Sequence, residues 1–342
     1  MENNKFKAFP SIGQFRNAIK RITDRSRFIG KDENGNPIYN TSAVLPKITF
    51  IGTVKLHGSN SVIYINKNSG EFHVQSRNNI ISPENDNVGC AKFNIEIKSV
   101  WENLIKDIPG NEFYIACEWG GKGIQKGVAV SELPRFMAVI NMTVDGKYAE
   151  LADIKKIESP ENRIFNVFNI APIYRFEIDF EKPDLVQNLI FQEVEAVEKE
   201  CPVGKYFGVS GIGEGIVFMP EDIVLRQDSD TWFKAKGEKH QVSKVITFSP
   251  IDSDKMQKQR NFIESVVTEA RLIQGLTVLR EKGIIPEMKV LGDYIRWVIG
   301  DILKEDSDRM SEYEITEKEL GKLASDKTRK WFIANFNKDF WN

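Results

Sequence analysis

The hydrophobic pattern of this 342-residue chain changes period near residue 250, and that change limits what it can fold into. Upstream, short blocks of β-branched and aromatic residues read as strands, as in Lys47-Ile-Thr-Phe-Ile-Gly-Thr-Val54 and Ser61-Val-Ile-Tyr-Ile65. Similar blocks recur at 112–118, 136–144, 215–219 and 231–236. Asn34-Gly-Asn36-Pro37 and Asn68-Ser-Gly70 mark turns between them. Helical spacing interrupts this pattern at 11–24, 91–107 and 184–200. Downstream it is sustained, over 257–281, 287–304 and 316–340, where Thr316 and Glu319 form a capping box. The pattern predicts an α+β fold in two domains, 1–245 mixed and 246–342 all-helical.

Composition narrows the class. With 41% hydrophobic and 28% charged residues the chain is that of an ordinary globular protein. No apolar run approaches the roughly 18 residues that would suggest a membrane span, and Met1-Glu-Asn-Asn-Lys5 opens no signal peptide. Three cysteines without a close pair point to a reducing cytoplasm, and three histidines argue against a multi-histidine metal centre. A net charge of −2 confines any nucleic-acid surface to local patches, with candidates at Arg16, Lys20, Arg21, Arg25 and Arg27 and at Lys234, Lys236 and Lys239.

Chemistry concentrates at Lys55-Leu-His57-Gly58-Ser-Asn60, a lone lysine where two strands meet. Lysine becomes a nucleophile only when neighbouring cations, burial or a metal ease its deprotonation. Four later segments supply charged groups. Arg77 follows a strand, Glu118 ends one beside Trp119-Gly-Gly121, Glu214 precedes Gly215-Ile-Val217, and Lys234 and Lys236 share one face of a strand. Read singly, each has a plain structural explanation: a hairpin lysine, turn caps at His57 and Asn60, a solvated arginine, edge-strand cations. A bare K-x-x-G also arises by chance about once in a chain of this length.

Taken in order, these segments resemble the motifs of the covalent nucleotidyltransferases, and most closely the phage double-strand RNA ligases of the RNA ligase 2 class. Lys55-x-His57-Gly58-x-Asn60 and Glu118-Trp-Gly-Gly-Lys-Gly-Ile-Gln125-Lys126 carry the likeness, which runs from about 47 to 240. The resemblance implies a nucleotidyltransferase (ATP-grasp-like ligase) domain of antiparallel sheets with flanking helices, followed by a small helical domain. It implies an ATP-dependent RNA ligase that works through lysyl-AMP and an adenylylated 5′-phosphate, sealing nicks in duplex RNA or RNA–RNA/DNA hybrids in RNA repair. ATP and Mg2+ (or Mn2+) are the implied cofactors, and the expected form is a cytoplasmic monomer.

Carried over by residue, Lys55 is the expected nucleophile, with Lys234, Lys236 and Glu214 as its catalytic partners. His57, Asn60, Arg77, Glu118, Phe136 and Val139 are expected around the nucleotide, and Glu214 and Glu118 at the metal. The sequence departs from the family pattern at Val139, which stands where an aromatic usually stacks on adenine, and at Val54, where relatives carry a charge. A DNA ligase or a GTP-dependent capping guanylyltransferase is the alternative with the same chemistry, though both usually append a strand-rich OB barrel. A non-catalytic nucleic-acid-binding relative is the alternative without it.

Overall fold

A computed structural model describes residues 6–237 and 255–338. The chain divides into two compact units, Met1–Gly237 and Glu238–Asn342. The boundary expected at 245/246, the cation at Lys239 and the last residues of the 316–340 helix lie outside the described residues.

Two sheets build the first unit. One has the order β1-β14-β13-β4-β12, formed by β1 (Gly13–Gln14), β14 (Phe233–Lys236), β13 (Gly215–Pro220), β4 (Lys47–Lys55) and β12 (Tyr174–Asp179). All its pairings are antiparallel except β1 on β14. The other has the order β10-β9-β8-β5-β6-β7 with β11 beside β9. Its strands are β5 (Ser59–Asn66), β6 (Glu71–Ser76), β7 (Ile80–Ile81), β8 (Glu112–Gly120), β9 (Phe136–Val144), β10 (Lys147–Tyr148) and β11 (Ile164–Asn166). A separate hairpin pairs β2 (Phe28–Lys31) with β3 (Pro37–Tyr39) across the turn expected at Asn34–Pro37.

Strand alternation sorts the first sheet into two faces. Phe50, Val54, Ile216, Phe218 and Phe233 enter one core beneath α1 (Phe15–Arg27) and α4 (Asp184–Lys199). The α4 stripe Val186, Ile190, Val194 and Val197 repeats at helical spacing and is wholly buried against it. Burying each such side chain stabilises the fold by roughly 1.5–3 kcal/mol. The opposite face sends Ile51 and Met219 into a second core, which also packs the second sheet against α2 (Cys90–Glu96) and α3 (Lys98–Ile105). Asn141 on β9 donates to the Met219 sulfur at 3.7 Å, tying the two sheets together.

Local details depart from the sequence reading. The helix expected over 91–107 is interrupted at Ile97, which leaves helical geometry at φ −107° and ψ 22°. The strand Tyr174–Asp179 was not anticipated, although Tyr174, Phe176 and Ile178 alternate toward the first core.

The described residues of the second unit form α5 (Lys255–Val266), α6 (Glu269–Glu281), α7 (Leu291–Asp306) and α8 (Glu317–Asn335), with one-turn segments between them and no strand. The expected 257–281 helix is two helices. Thr268 caps the second by accepting from the Arg271 N–H, which ends the first at Val266. The capping box at Thr316 and Glu319 forms as the sequence predicts. Phe262, Leu272, Tyr294, Val298 and Phe332 lie in its core. No helix among the described residues is long and apolar enough to cross a membrane.

Candidate active site

The site grows from a row of paired residues across three strands. Lys55 at the end of β4 stands opposite Gly215 on β13, and Gly215 stands opposite Lys236 on β14. Paired residues project from the same face, and Phe233 and Ala235 face the first core, so Lys234 and Lys236 share the opposite face with Lys55. Gly215 keeps this row closed. Its φ is +150°, and a Cβ there would lie 2.1 Å from the Ala235 carbonyl oxygen.

Glu214, immediately before Gly215, is 3% exposed and forms the hub. Its Oε2 accepts from Lys55 Nζ at 2.6 Å and lies 3.3 Å from His57 Nδ1, while its Oε1 lies 2.9 Å from Lys236 Nζ. Burial alone would raise this carboxyl. Lys236, Lys55 and His57 outweigh it and hold Glu214 well below the usual carboxylate range. Glu214 is therefore an ionised anchor for three groups that stay partly open to solvent.

The turn between β4 and β5 brings the second sheet to the same place. Leu56 enters the first core, and Gly58 lets the chain pass against β8. A Cβ on Gly58 would meet the Trp119 carbonyl oxygen at 2.4 Å. That close approach lets the Gly58 N–H donate to Glu118 Oε1 at 2.9 Å. Burial, the largest influence, pushes the Glu118 carboxyl up to about 7; Glu214 adds to this, whereas Lys55, the Gly58 N–H and Arg77 oppose it. Asn60 is the β5 partner of Glu118, and its Oδ1 is buried with no hydrogen-bond partner. Arg77, exposed, directly follows the end of β6.

The structure thus brings together Lys55, His57, Asn60, Arg77, Glu118, Glu214 and Lys236, with Lys234 on the same strand face. It does not bring Val139 there, which corrects the expected adenine floor. Val139 pairs with Cys117 and Ala138 with Glu118, so Val139 points away from the carboxylate and is fully buried in the second core. The cause is a bulge: Asn141 pairs with Ala116, leaving Ile140 as the extra, partly exposed residue. Phe136 is also core, its ring packed against Phe165 and Phe207.

Sequence reasoning assigned no role to Gln125, whose side-chain amide donates to the Gly58 carbonyl at 3.4 Å. Its place in the Gly-Ile-Gln-Lys stretch was the available signal. No group of three or more His, Cys, Asp or Glu among the described residues is arranged to hold a metal. Two carboxylates suffice for magnesium, which takes few protein ligands and completes its shell with phosphates and water. The unpartnered Asn60 oxygen likewise fits a donor on a bound nucleotide.

A family model described as RNA ligase matches residues 48–236. Among solved structures, a mutant of the Naegleria gruberi RNA ligase with AMP and Mn is 15% identical, at a TM-score of 0.43, covering 69% of this chain and 59% of that one. The same ligase with PPi is 17% identical at a TM-score of 0.41, covering 70% and 61%. The matched part is thus about three-fifths of the length of those ligase chains. No curated protein matches the chain.

Proposed function

The chain belongs to the RNA ligase family, and we propose that it is an ATP-dependent ligase that seals 3′-hydroxyl and 5′-phosphate ends in nicked duplex RNA. The observation that carries this reading is the buried Glu214 carboxylate holding Lys55 and Lys236 at 2.6 and 2.9 Å. A lysine serving only solubility has no need of a buried anchor. This one is 24% exposed, so its amine is reachable.

Phosphoryl-type transfer asks a protein chiefly to position reactants and neutralise charge. Lys55 Nζ, as the neutral amine left when its ammonium gives a proton to solvent, attacks the α-phosphorus of ATP; the N–P bond forms as a second proton leaves the nitrogen, the bond to the bridging oxygen breaks, and pyrophosphate departs, giving lysyl-AMP. Glu214 fixes the amine, and Lys236 and Lys234 face the α-phosphate, where negative charge gathers in the transition state. Arg77 and Asn60 meet the nucleotide on the side of Glu118. Glu118 and Glu214 would hold a Mg2+ or Mn2+ ion, which supplies charge neutralisation at the phosphates. Val217, a partly exposed aliphatic two residues beyond Gly215 on the face of β13 that adjoins Lys55, is the side chain offered to the base. AMP then passes to the 5′-phosphate of the RNA, and the abutting 3′-hydroxyl displaces it. We assign the helical unit to orienting the nicked duplex in these later steps; normal sealing by a chain cut at residue 245 would remove that role. A monomer repairing RNA in a reducing cytoplasm completes the proposal.

The test is incubation with α-labelled ATP or GTP and magnesium, beside Lys55→Ala, followed by denaturation. Label retained from ATP, and absent in the variant, supports the reading. Label from GTP moves it to capping chemistry, and no label from either nucleotide leaves a non-catalytic relative.

A further inference from the structure

We infer that the outer face of α1 and the β2–β3 hairpin form a surface for a single-stranded RNA extension flanking the nick. Lys20 and Arg27 take its phosphates, and Phe28 and Tyr39 take its unpaired bases. The inference rests on the ligase reading above for the identity of the polynucleotide. It concerns residues that the family match, over 48–236, does not reach.

Charge is concentrated here. The chain carries a net charge of −2, yet residues 15–31 hold six cations, Arg16, Lys20, Arg21, Arg25, Arg27 and Lys31, against one acid, Asp24. The helix sorts them. Ala18 and Ile22 enter the first core, while Arg21 and Arg25 are both bound to Asp228, at 3.2 and 3.1 Å. Arg16, Lys20, Thr23 and Arg27 recur at i, i+4, i+7 and i+11 and form a separate stripe. Arg16, at its head, donates to the Gln14 side chain. Among the described residues Lys20 and Arg27 make no ion pair, and Arg27 Nε is buried without a hydrogen-bond partner. A guanidinium withdrawn from water and unmet by protein is set for an acceptor that a ligand brings.

The stripe ends at aromatic rings. The Asn40 N–H donates to the Arg27 carbonyl at 2.7 Å, which fixes the base of the hairpin to the end of α1. There Phe28 stands opposite Tyr39, their rings edge-on at 6.3 Å. The two are 47% and 42% exposed, and Ile29 and Ile38 beside them are also exposed. The acids of the hairpin, Asp32 and Glu33, lie at its far turn, where Asp32 accepts from the Asn34 and Asn36 N–H groups. The helix dipole favours Arg25 and Arg27 at this end. A merely solvated face, however, has no use for four exposed apolar side chains beside them. Cations next to open aromatic rings suit a nucleic-acid strand, whose phosphates pair with the cations and whose bases each offer a face for stacking.

The surface is continuous with the candidate active site. Gln14, just before α1, is the register partner of Lys234. The helix therefore starts at the edge of the sheet that carries Lys234, Lys236 and Lys55, and its 13 residues lead to the hairpin roughly 20 Å away. A strand joined at Lys55 reaches the hairpin only after several nucleotides. Bases inside a duplex stack on one another and cannot lie on the rings. The occupant is accordingly a single-stranded extension beyond the nicked duplex.

The experiment measures binding by the full chain, without ATP, of nicked RNA duplexes that are blunt or carry a single-stranded extension at one end or the other. Beside unaltered protein stand Lys20→Ala with Arg27→Ala, Phe28→Ala with Tyr39→Ala and, as a control of equal charge loss, Lys182→Ala with Lys199→Ala near the two ends of α4. The unaltered protein should bind one extended RNA about tenfold more tightly than the blunt one. Loss of the rings should remove that preference. Loss of the cations should remove it too, and should flatten the dependence of log Kd on log salt by about 1.4, two single-strand phosphate contacts. The control should keep both. Label transfer from ATP to Lys55 involves no RNA and should be the same in every variant; a fall in a test variant marks a structural role and overturns the inference. So does equal binding of blunt and extended RNA by unaltered protein, a preference that survives in both test variants, or an equal loss in the control. Dimers in sedimentation that Phe28→Ala with Tyr39→Ala abolishes would make the rings a contact between copies and overturn it as well. An unaltered protein that takes no label yet prefers extended RNA loses the ligase reading and keeps this surface.

Discussion

Each unit of the molecule holds a buried charged group among three polar partners, and the two clusters differ in a way that separates chemistry from architecture. In the first unit the hub is Glu214, surrounded by Lys55, His57 and Lys236, whose side chains are 24%, 30% and 13% exposed. In the second the hub is Arg271, fully buried, bonded to Asp301 at 2.7 Å and Asp306 at 2.9 Å, with Glu305 at 3.6 Å. Those carboxylates are 13%, 0% and 9% exposed, and Arg271 also donates to the Val266 carbonyl. Burial alone would lower the Arg271 pKa, but the three carboxylates raise it above the ordinary value. Sealed partners leave a cluster nothing to do but hold helices together. Partners that reach solvent around a buried hub can exchange the hub for a substrate.

Four outcomes would break or sharpen that contrast. The largest concerns Lys55→Ala, which should abolish covalent label from ATP while shifting unfolding stability by no more than about 1 kcal/mol, since Glu214 keeps Lys236 and His57. A large loss of stability in chemical denaturation would make the two clusters alike. Next is Arg271→Met, which should destabilise the helical unit by about 3–5 kcal/mol because it strands buried carboxylates. Denaturation of the full chain, followed beside label transfer, should show the helical unit melting early with Lys55 labelling retained.

Gly58→Ala probes how finely the open cluster is positioned. The added methyl would press on the Trp119 carbonyl, and a displacement near 1 Å at a reacting group costs on the order of 100-fold in rate. Single-turnover labelling measures that loss; an unchanged rate would mean the turn carries no positional demand. The smallest effect is a pH dependence at Glu118, whose carboxyl is pushed up to about 7. Below that pH the folded chain holds a proton that the unfolded chain, near the ordinary 4.5, has released. Stability of the nucleotide-free protein should therefore fall as pH rises from about 4.5 through 7, and Glu118→Gln should flatten the trend in melting temperature. Label transfer should rise across the same interval as the carboxylate forms, and a profile identical in Glu118→Gln would exclude Glu118 as its cause.

Much of the open cluster was legible in the sequence, and none of the sealed one was. Lys55, Glu118, Glu214 and Lys236 stand in short strands whose period shows directly in the residues, with glycines at 58 and 215 where backbones must pass closely. Arg271, Asp301 and Asp306 look like ordinary helix-surface charges until α6 and α7 pack. Val139 shows the limit from within the site itself. Its position in the chain suggested the nucleotide floor, yet one bulged residue turns it inward, because strand faces alternate and a single insertion exchanges them.

What the sequence determined by itself, then, was the kind of element at each position and the inventory of reactive groups, since periodicity, turn residues and side-chain chemistry are local properties. The tertiary structure decided which groups share a face, which charges are buried together, and that β1 closes the edge of the sheet that carries Lys55 and Lys236. Those outcomes depend on strand register and on the pairing of segments more than two hundred residues apart, Gln14 with Lys234 among them. No local pattern records the partner a strand edge will find.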